Sequence, residues 1–149
     1  MTNQKMLFAL KLMNAVALNA FILGASFQAT FVIICLRMFR LTLKYGLSAL
    51  YSPMAFAMWG SVHAALGQFD TSIKAEQLSF DVVDKFKTES IRGSIVIFNY
   101  LLNHMWRNKL DHGVRDEFLY GYQLAMSFGD INHAYHGFGV WLGYDRDFS

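Results

Sequence analysis

The chain has 149 residues, which is enough for one domain with its own hydrophobic core, and its single cysteine, Cys35, excludes an intrachain disulfide. Hydrophobic residues make up 54% of the sequence and the net charge is only +2, so the chain lacks the strongly basic composition of nucleic-acid-binding domains. We therefore expect a large core, no disulfide framework, no nucleic-acid partner and, by default, a cytoplasmic location.

Two apolar helices are predicted at the start of the chain. Strong helix formers without proline predict the first over residues 4–23, and a second is predicted over residues 28–45. The segment Gly24-Ala25-Ser26 would interrupt the chain between them, and Gly46 stands where a C-terminal cap belongs.

Charge is unevenly distributed along the sequence. Residues 1–69 contain no acidic residue, whereas residues 70–149 have a net charge of −3. The cations of the first part are Lys5, Lys11, Arg37, Arg40 and Lys44. Because they are spread along two apolar helices, we expect them to face solvent and to keep these helices soluble.

The middle of the chain predicts two further helices. The first covers residues 54–66 and ends at Gly67, and the second continues to about Lys87. Asp70 or Thr71 is predicted to cap the second helix, because either side chain can accept a hydrogen bond from a free backbone N–H group. Apolar residues at helical spacing predict that this helix buries one side.

The remaining sequence repeats this pattern. Helices are predicted over residues 91–105, 111–128 and 131–142. A polar loop at residues 107–109 separates the first two, Gly129 is predicted to end the second, and Asp130 is predicted to cap the third. No segment shows sustained alternation of polar and β-branched residues, so the fold class is predicted to be all-α.

Internal repetition is the most informative feature of the sequence. The similar segments at residues 66–70 and 142–145 predict equivalent loops and a repeat unit of about 38 to 40 residues, typical of helix-pair repeats. We predict a right-handed stack of antiparallel helix pairs that forms a single domain over residues 1–149. Its units are predicted at about residues 4–46, 52–88, 91–129 and, in part, 130–149. The stack is expected to be incomplete at both ends, as a fragment or a derivative of a longer array, and its uncapped ends could allow self-association.

One segment resembles a tetratricopeptide repeat. Phe56-x-x-Trp59-Gly60-x-x-His63 is similar to the first helix of that motif, and residues 67–70 are similar to its inter-helix turn. The second helix departs from the motif at Ser72 and Glu76. Four aromatic residues are predicted to lie in the core: Phe56, Trp59, Phe69 and Phe86. If Trp59 is buried, its replacement by alanine should cost about 3 to 5 kcal/mol.

A second resemblance covers roughly residues 10 to 148. The motifs that carry it are Arg37-Met38, Leu41-Thr42-Leu43-Lys44-Tyr45-Gly46, Ser52-Pro53, Trp59-Gly60, Leu66-Gly67-Gln68-Phe69-Asp70, Ile97-Phe98-Asn99 and Phe128-Gly129-Asp130. Together they resemble the helical repeat region of large multi-sensor kinases, which join a serine/threonine kinase domain, an AAA-type ATPase domain, a GAF module and a sensor histidine kinase. The resemblance implies a connecting or protein-binding role, with protein partners or neighbouring domains of a signalling kinase, and brings no catalytic residue.

A membrane protein is the main alternative. Between Lys11 and Arg37 lie 25 uncharged residues, enough to cross a bilayer as a segment at about residues 12–36. Polar residues interrupt this run, and the flanking positive charges specify no orientation. We therefore expect insertion into a membrane to be the less favoured interpretation.

A second alternative is a metal-binding helical protein. His133 and His136 are three residues apart on a predicted helix, with Asp130 one turn before them, so two imidazoles could face one metal ion. The sequence places no third ligand and no general base at the spacing of a metalloprotease motif. Packing of the helix, with Asp130 as its cap, is the preferred interpretation.

Catalytic motifs are missing from the sequence. Neither a phosphate-binding GxxxxGK[ST] loop nor a G-x-S-x-G elbow occurs, and no cofactor motif is present. Cys35 lies in an apolar run, where a buried and unreactive thiol is expected. We therefore predict that the chain by itself is not an enzyme and has no catalytic, cofactor-binding or metal-binding residue.

Overall fold

The computed structural model describes residues 3–104 and 112–148, and in these ranges all regular secondary structure is helical. The helices are α1 (Gln4–Ile22), α2 (Gln28–Tyr45), α3 (Ser52–Ala65), α4 (Phe69–Phe86), α5 (Glu89–Asn99), α6 (His112–Ser127) and α7 (Ile131–Phe148). A 3₁₀ turn, Ala25–Phe27, joins α1 to α2, and α5 continues as a π-helical segment, Tyr100–His104. The predicted all-α class is confirmed for the described residues.

Glycines end three helices where the sequence predicted them. Gly46, Gly67 and Gly129 have positive φ angles of 86°, 73° and 75° and follow α2, α3 and α6. At Gly67 the chain reverses through hydrogen bonds from its own N–H to the carbonyl of Ala64 and from the N–H of Gln68 to the carbonyl of His63. These bonds satisfy carbonyl groups that the helix end would leave free.

The helix starts are confirmed in part. The Asp130 carboxylate accepts a hydrogen bond from the backbone N–H of His133 at 3.3 Å, as expected of an N-cap. The prediction that Asp70 or Thr71 caps α4 is wrong, because α4 already begins at Phe69. Asp70 therefore lies in the first turn, where its charge interacts favourably with the helix dipole.

Two other predicted boundaries differ from the structure. Helix α7 extends to Phe148, so residues 142–145 are helical and are not a loop equivalent to residues 66–70. Helix α5 begins at Glu89, two residues before the predicted start, and its last turn widens into the π-helical segment. The predicted polar loop at residues 107–109 lies outside the described residues.

Helices that follow one another form contacting pairs. Helix α1 packs on α2, α3 on α4, α5 on α6, and α6 on α7. Short connections between contacting helices make such neighbours antiparallel. Further contacts join α2 to α3, α5 to both α3 and α4, and α7 to α5.

The main core lies between α1, α2, α3 and α5, with one contribution from α4. It consists mostly of medium-sized apolar side chains, including Leu10, Cys35, Met38, Met58, Val83 and Ile95. A second cluster lies between α5, α6 and α7 and is formed by Ile97, Val114, Phe118, Ala125 and Ala134.

The predicted aromatic core is correct at Phe56, which is buried, and wrong at Phe69 and Phe86, which are 41% and 40% exposed. These two residues are the first and last of α4. Trp59 is half-buried and stacks on Phe39 with ring centroids 4.3 Å apart. Its replacement by alanine should therefore cost less than that of a fully buried ring.

A buried polar network joins α3, α4 and α5. The side-chain amide of Asn103 donates hydrogen bonds to the Asn99 carbonyl oxygen at 2.6 Å and to the backbone carbonyl of Ala57 at 3.3 Å. The amide of Asn99 in turn donates to the hydroxyl of Ser79 at 2.9 Å. Because each of these groups would be costly to bury alone, the network fixes how the three helices align.

Candidate interaction surface

Helix α1 has an exposed apolar row. Phe8, Leu12, Val16 and Leu23 are between 49% and 62% exposed, and their spacing places them on one side of the helix. The opposite side is buried in the core through residues such as Leu10 and Ala17. Helix α1 is thus apolar on both sides, and the described fold covers only one of them. We call these four residues the α1 row.

Helix α2 also exposes apolar residues, but it mixes them with cations. Ile33 and Leu43 are each 64% exposed, and Arg37, Arg40 and Lys44 lie between or beside them, also exposed to solvent. The expectation that the cations of the first two helices face solvent is confirmed for all five. Apolar side chains and positive charge therefore share the outer surface of α2.

All charged residues of α1 and α2 are positive, because no acidic residue occurs before residue 70. No intrahelical ion pair can neutralise the cations of α1 and α2. A partner that covered the surface would gain from burying apolar side chains and from placing negative charge beside the cations. We refer to the exposed sides of α1 and α2 together as the α1–α2 surface.

A groove adjoins the α1 row. It has a volume of about 550 Å³, and Phe8 and Lys11 of α1, Leu50 and Tyr51 of the α2–α3 connection and Phe86 of α4 contribute to its lining. The exposed ring of Phe86, which the sequence analysis placed in the core, thus forms one wall of this groove. The apolar surface of α1 therefore continues across the groove to the end of α4.

The structure brings His133 and His136 together as the sequence predicted. Both line a small cavity of about 30 Å³, whose other lining residues are Leu18, Phe21, Ile97, Phe98 and Leu101. No third ligand comes from this apolar lining, and among the described residues no group of three His, Cys, Asp or Glu side chains could hold a metal ion.

Asp130, directly before α7, makes contacts with both α7 and α5. Its carboxylate lies 2.9 Å from the Nδ1 atom of His133 and accepts a hydrogen bond from the hydroxyl of Ser94 on α5. Burial raises the pKa of Asp130, but the hydrogen bonds from His133 and Ser94 outweigh this effect and lower the pKa to about 2. The carboxylate therefore caps α7 and ties it to α5.

Cys35 is fully buried, and burial raises the pKa of its thiol to about 12. The thiolate is the nucleophilic form of cysteine, so this residue is unreactive at neutral pH. The expected burial of the Cys35 thiol is confirmed.

Sequence analysis did not identify the exposed α1 row or the asparagine network. The row was hidden because α1 is apolar on nearly all sides, so periodicity alone could not separate the buried from the exposed side. The network had a detectable signal, since Asn99 and Asn103 are four residues apart in an otherwise apolar helix.

In the part of the chain that the structure describes, no helix is both long enough and apolar enough to cross a membrane. The predicted alternative segment at residues 12–36 is divided between α1 and α2, which pack on each other. Comparison of the chain with protein-family models, with curated proteins and with solved structures finds no match.

Proposed function

We propose that this chain is a non-catalytic helical-repeat scaffold, related to the repeat region of multi-sensor signalling kinases, and that it acts by binding protein through the α1–α2 surface. The observation that carries the proposal is the exposed α1 row, on a helix pair whose five cations are all exposed and which contains no acidic residue. A contiguous exposed apolar surface of this kind typically marks an interaction site.

The shape of the surface favours a helical partner. Leu23 lies 15 residues after Phe8, so the α1 row is about 22 Å long along the helix axis. Residues at this spacing pack against the side of another helix, as they do between successive helices of a repeat array. The cations on α2 favour a partner helix that carries acidic residues at the edge of its contact surface.

The proposed relationship to the repeat region of multi-sensor kinases is based on the packing motifs quoted above. Gly60 supports it, because a Cβ atom at this position would lie 3.1 Å from the Cβ of Ala75 on α4. This is the close approach of paired helices that the tetratricopeptide-like motif implies. A connecting or protein-binding role needs no reactive group, which agrees with the unreactive thiol of Cys35.

The experiment uses a model partner of defined chemistry. A fluorescent amphipathic helical peptide with leucine on one side and glutamate on the other should bind the purified chain, as measured by anisotropy. Binding should weaken with rising salt, because exposed charges are screened. The same peptide with lysine in place of glutamate is the control and should bind more weakly.

Two variants locate the binding site. Leu12→Glu should abolish binding of the acidic peptide, whereas Ile73→Glu, at an exposed apolar position of α4, should leave it unchanged. Equal binding of both peptides, or equal loss in both variants, would contradict the proposal.

Vesicles of anionic phospholipid test the alternative that the α1–α2 surface binds a membrane. Exposed apolar residues and cations can also bind an anionic bilayer at its interface. We expect the chain to remain unbound in a flotation assay. Flotation that Leu12→Glu abolishes, without binding of the acidic peptide, would replace the protein-binding function by a membrane-surface function.

A further inference from the structure

A second exposed apolar row lies on α7. Ile131, Tyr135 and Leu142 are exposed, Tyr135 to 75%, and their spacing places them on one side of the helix. Gly139 lies on the same side, and a Cβ atom at this position would meet no other atom within 4 Å. The row is therefore open and has a flat centre, which suits close packing of another helix. We call Ile131, Tyr135 and Leu142 the α7 row.

The helices that carry the two rows have opposite charge. Helices α1 and α2 contain five cations and no acid, whereas α6 and α7 contain four acids and two arginines. Two properties therefore favour association. Each row exposes apolar side chains, and the helix pairs that carry the rows have net charges of opposite sign, +5 for α1 with α2 and −2 for α6 with α7.

The rows cannot meet within one molecule. Helices α1 and α7 already approach each other through other residues, since Leu18 and Phe21 of α1 line the same small cavity as His133 and His136 of α7. On both helices the exposed row lies on the side opposite to these cavity residues, because the positions differ by roughly half a turn. A contact between the rows therefore requires two copies of the chain.

We propose that the α1 row of one copy packs against the α7 row of a second copy, so that the partner of this surface is the chain itself. The proposal rests on the proposed function, since it names the protein that the α1–α2 surface binds. The contact is heterologous, because each copy uses two different surfaces. Copies can therefore add head to tail, and they form either an open chain or a closed ring.

Sedimentation velocity of the purified chain over a wide range of concentration tests the proposal. The weight-average mass should rise beyond that of a dimer, because each added copy leaves one row of each kind free. High salt should reduce the association, because it screens the complementary charges.

Two variants break the contact from its two sides. Leu12→Glu and Tyr135→Glu each place a carboxylate in the centre of one row, where its burial against apolar side chains is costly, and each alone should weaken self-association by about a hundredfold. Ile73→Glu makes the same substitution at an exposed position of α4 and should associate like the unmodified chain. Circular dichroism should give the same helical content for all three variants.

Mixing the two variants gives the sharpest test. The Leu12→Glu chain keeps an intact α7 row and the Tyr135→Glu chain keeps an intact α1 row, so an equimolar mixture should form one-to-one dimers and nothing larger. Two mutated rows that met would bring two glutamates together and would repel. A mixture that stays monomeric while the unmodified chain associates would overturn the head-to-tail contact.

Failure of this inference can be separated from failure of the proposed function. An unmodified chain that remains monomeric at every concentration, yet binds the acidic helical peptide through Leu12, would refute self-association and leave the protein-binding function in place. A chain that neither associates nor binds the peptide would refute both. Loss of association in Ile73→Glu would show that the contact lies elsewhere.

Discussion

The first helix pair, α1 with α2, and the last three helices, α5 with α6 and α7, are packed in different ways. Around Ile97, glycines let helices approach so closely that a Cβ atom at Gly121 or Gly137 would lie 2.8 Å from the Ile97 side chain. The α1–α2 pair is held by larger side chains, such as Leu10, Phe31 and Met38, and leaves the α1 row in solvent.

This difference indicates which part of the chain uses its apolar surface for internal packing and which part leaves it exposed. Glycine contacts bring backbones together, so no further element can pack between α5, α6 and α7, and only the outer side of α7 with the α7 row stays open. The α1–α2 pair still has apolar surface that burial would stabilise. Substitutions should therefore affect mainly stability inside the junction of α5, α6 and α7, and mainly binding in the α1 row, on the exposed side of α2 and in the α7 row.

The largest effect should come from Phe118, which is fully buried between the last helices. Phe118→Ala should lower the free energy of unfolding by about 3 to 5 kcal/mol, because it removes a buried ring and leaves a cavity. Phe8→Ala is the matched control on α1 and should cost about 0.5 kcal/mol or less, because this ring is mostly in solvent. Urea unfolding followed by circular dichroism measures both. Similar losses of unfolding free energy in Phe118→Ala and Phe8→Ala would contradict the difference in packing between the two regions.

The glycine contacts should show the next largest effect. A Cβ atom at Gly93 of α5 would lie 2.5 Å from the backbone nitrogen of Ala125, so α6 would have to move. Gly93→Ala should therefore destabilise the chain by about 1 to 3 kcal/mol. Gly139→Ala on α7 meets no atom and should stabilise it by about 0.5 to 1 kcal/mol, because alanine favours the helix. Thermal unfolding of the two variants shows whether each substitution raises or lowers the melting temperature. A higher melting temperature for both variants would argue against close packing at Gly93.

Asp130 should make the α5–α7 contact sensitive to pH. Its pKa is lowered from 3.8 to about 2 in the folded chain, so the ionised form stabilises the fold above the unfolded pKa. This contribution, about 1 to 2 kcal/mol after allowance for solvent screening, should be lost as the pH falls from about 4 to 2. Asp130→Asn keeps an N-cap but lacks the charge. The difference in unfolding free energy between the two chains should shrink over this pH range, and a constant difference would rule out the ionised form as its source.

The smallest effect on stability is expected on α2. Ile33→Ser should change the free energy of unfolding by no more than about 0.5 kcal/mol, because the side chain is mostly exposed. The same substitution should weaken binding of the acidic helical peptide, because Ile33 belongs to the α1–α2 surface. A clear loss of stability without a loss of peptide binding would contradict the claim that the exposed side of α2 contributes mainly to binding.

Local signals in the sequence predicted much of the helical organisation. Gly46, Gly67 and Gly129 were recognised as helix ends because a positive φ angle is easy only for glycine, and all three have one. The cap at Asp130 was recognised because a carboxylate before an apolar helix can bind its free N–H groups. Such signals act over a few residues and do not depend on what packs nearby.

Signals that depend on neighbouring helices were less informative. The similarity of residues 66–70 and 142–145 suggested equivalent loops, but only the first is a turn, because α7 continues through the second. Phe69 and Phe86 have the composition of core residues, yet their position at the ends of α4 leaves them exposed. The choice of which rings are buried depends on where the other helices lie.

The sequence by itself determined that the chain is helical, where most helices begin and end, and that the acidic residues are confined to residues 70–149. Only the tertiary structure decided which side of α1 is buried, and which helices approach closely enough to require glycine. The physical reason is that helix formation and capping are set by contacts within one turn, whereas burial depends on residues that are distant in sequence. An apolar helix such as α1 can bury either side equally well until its neighbours are in place.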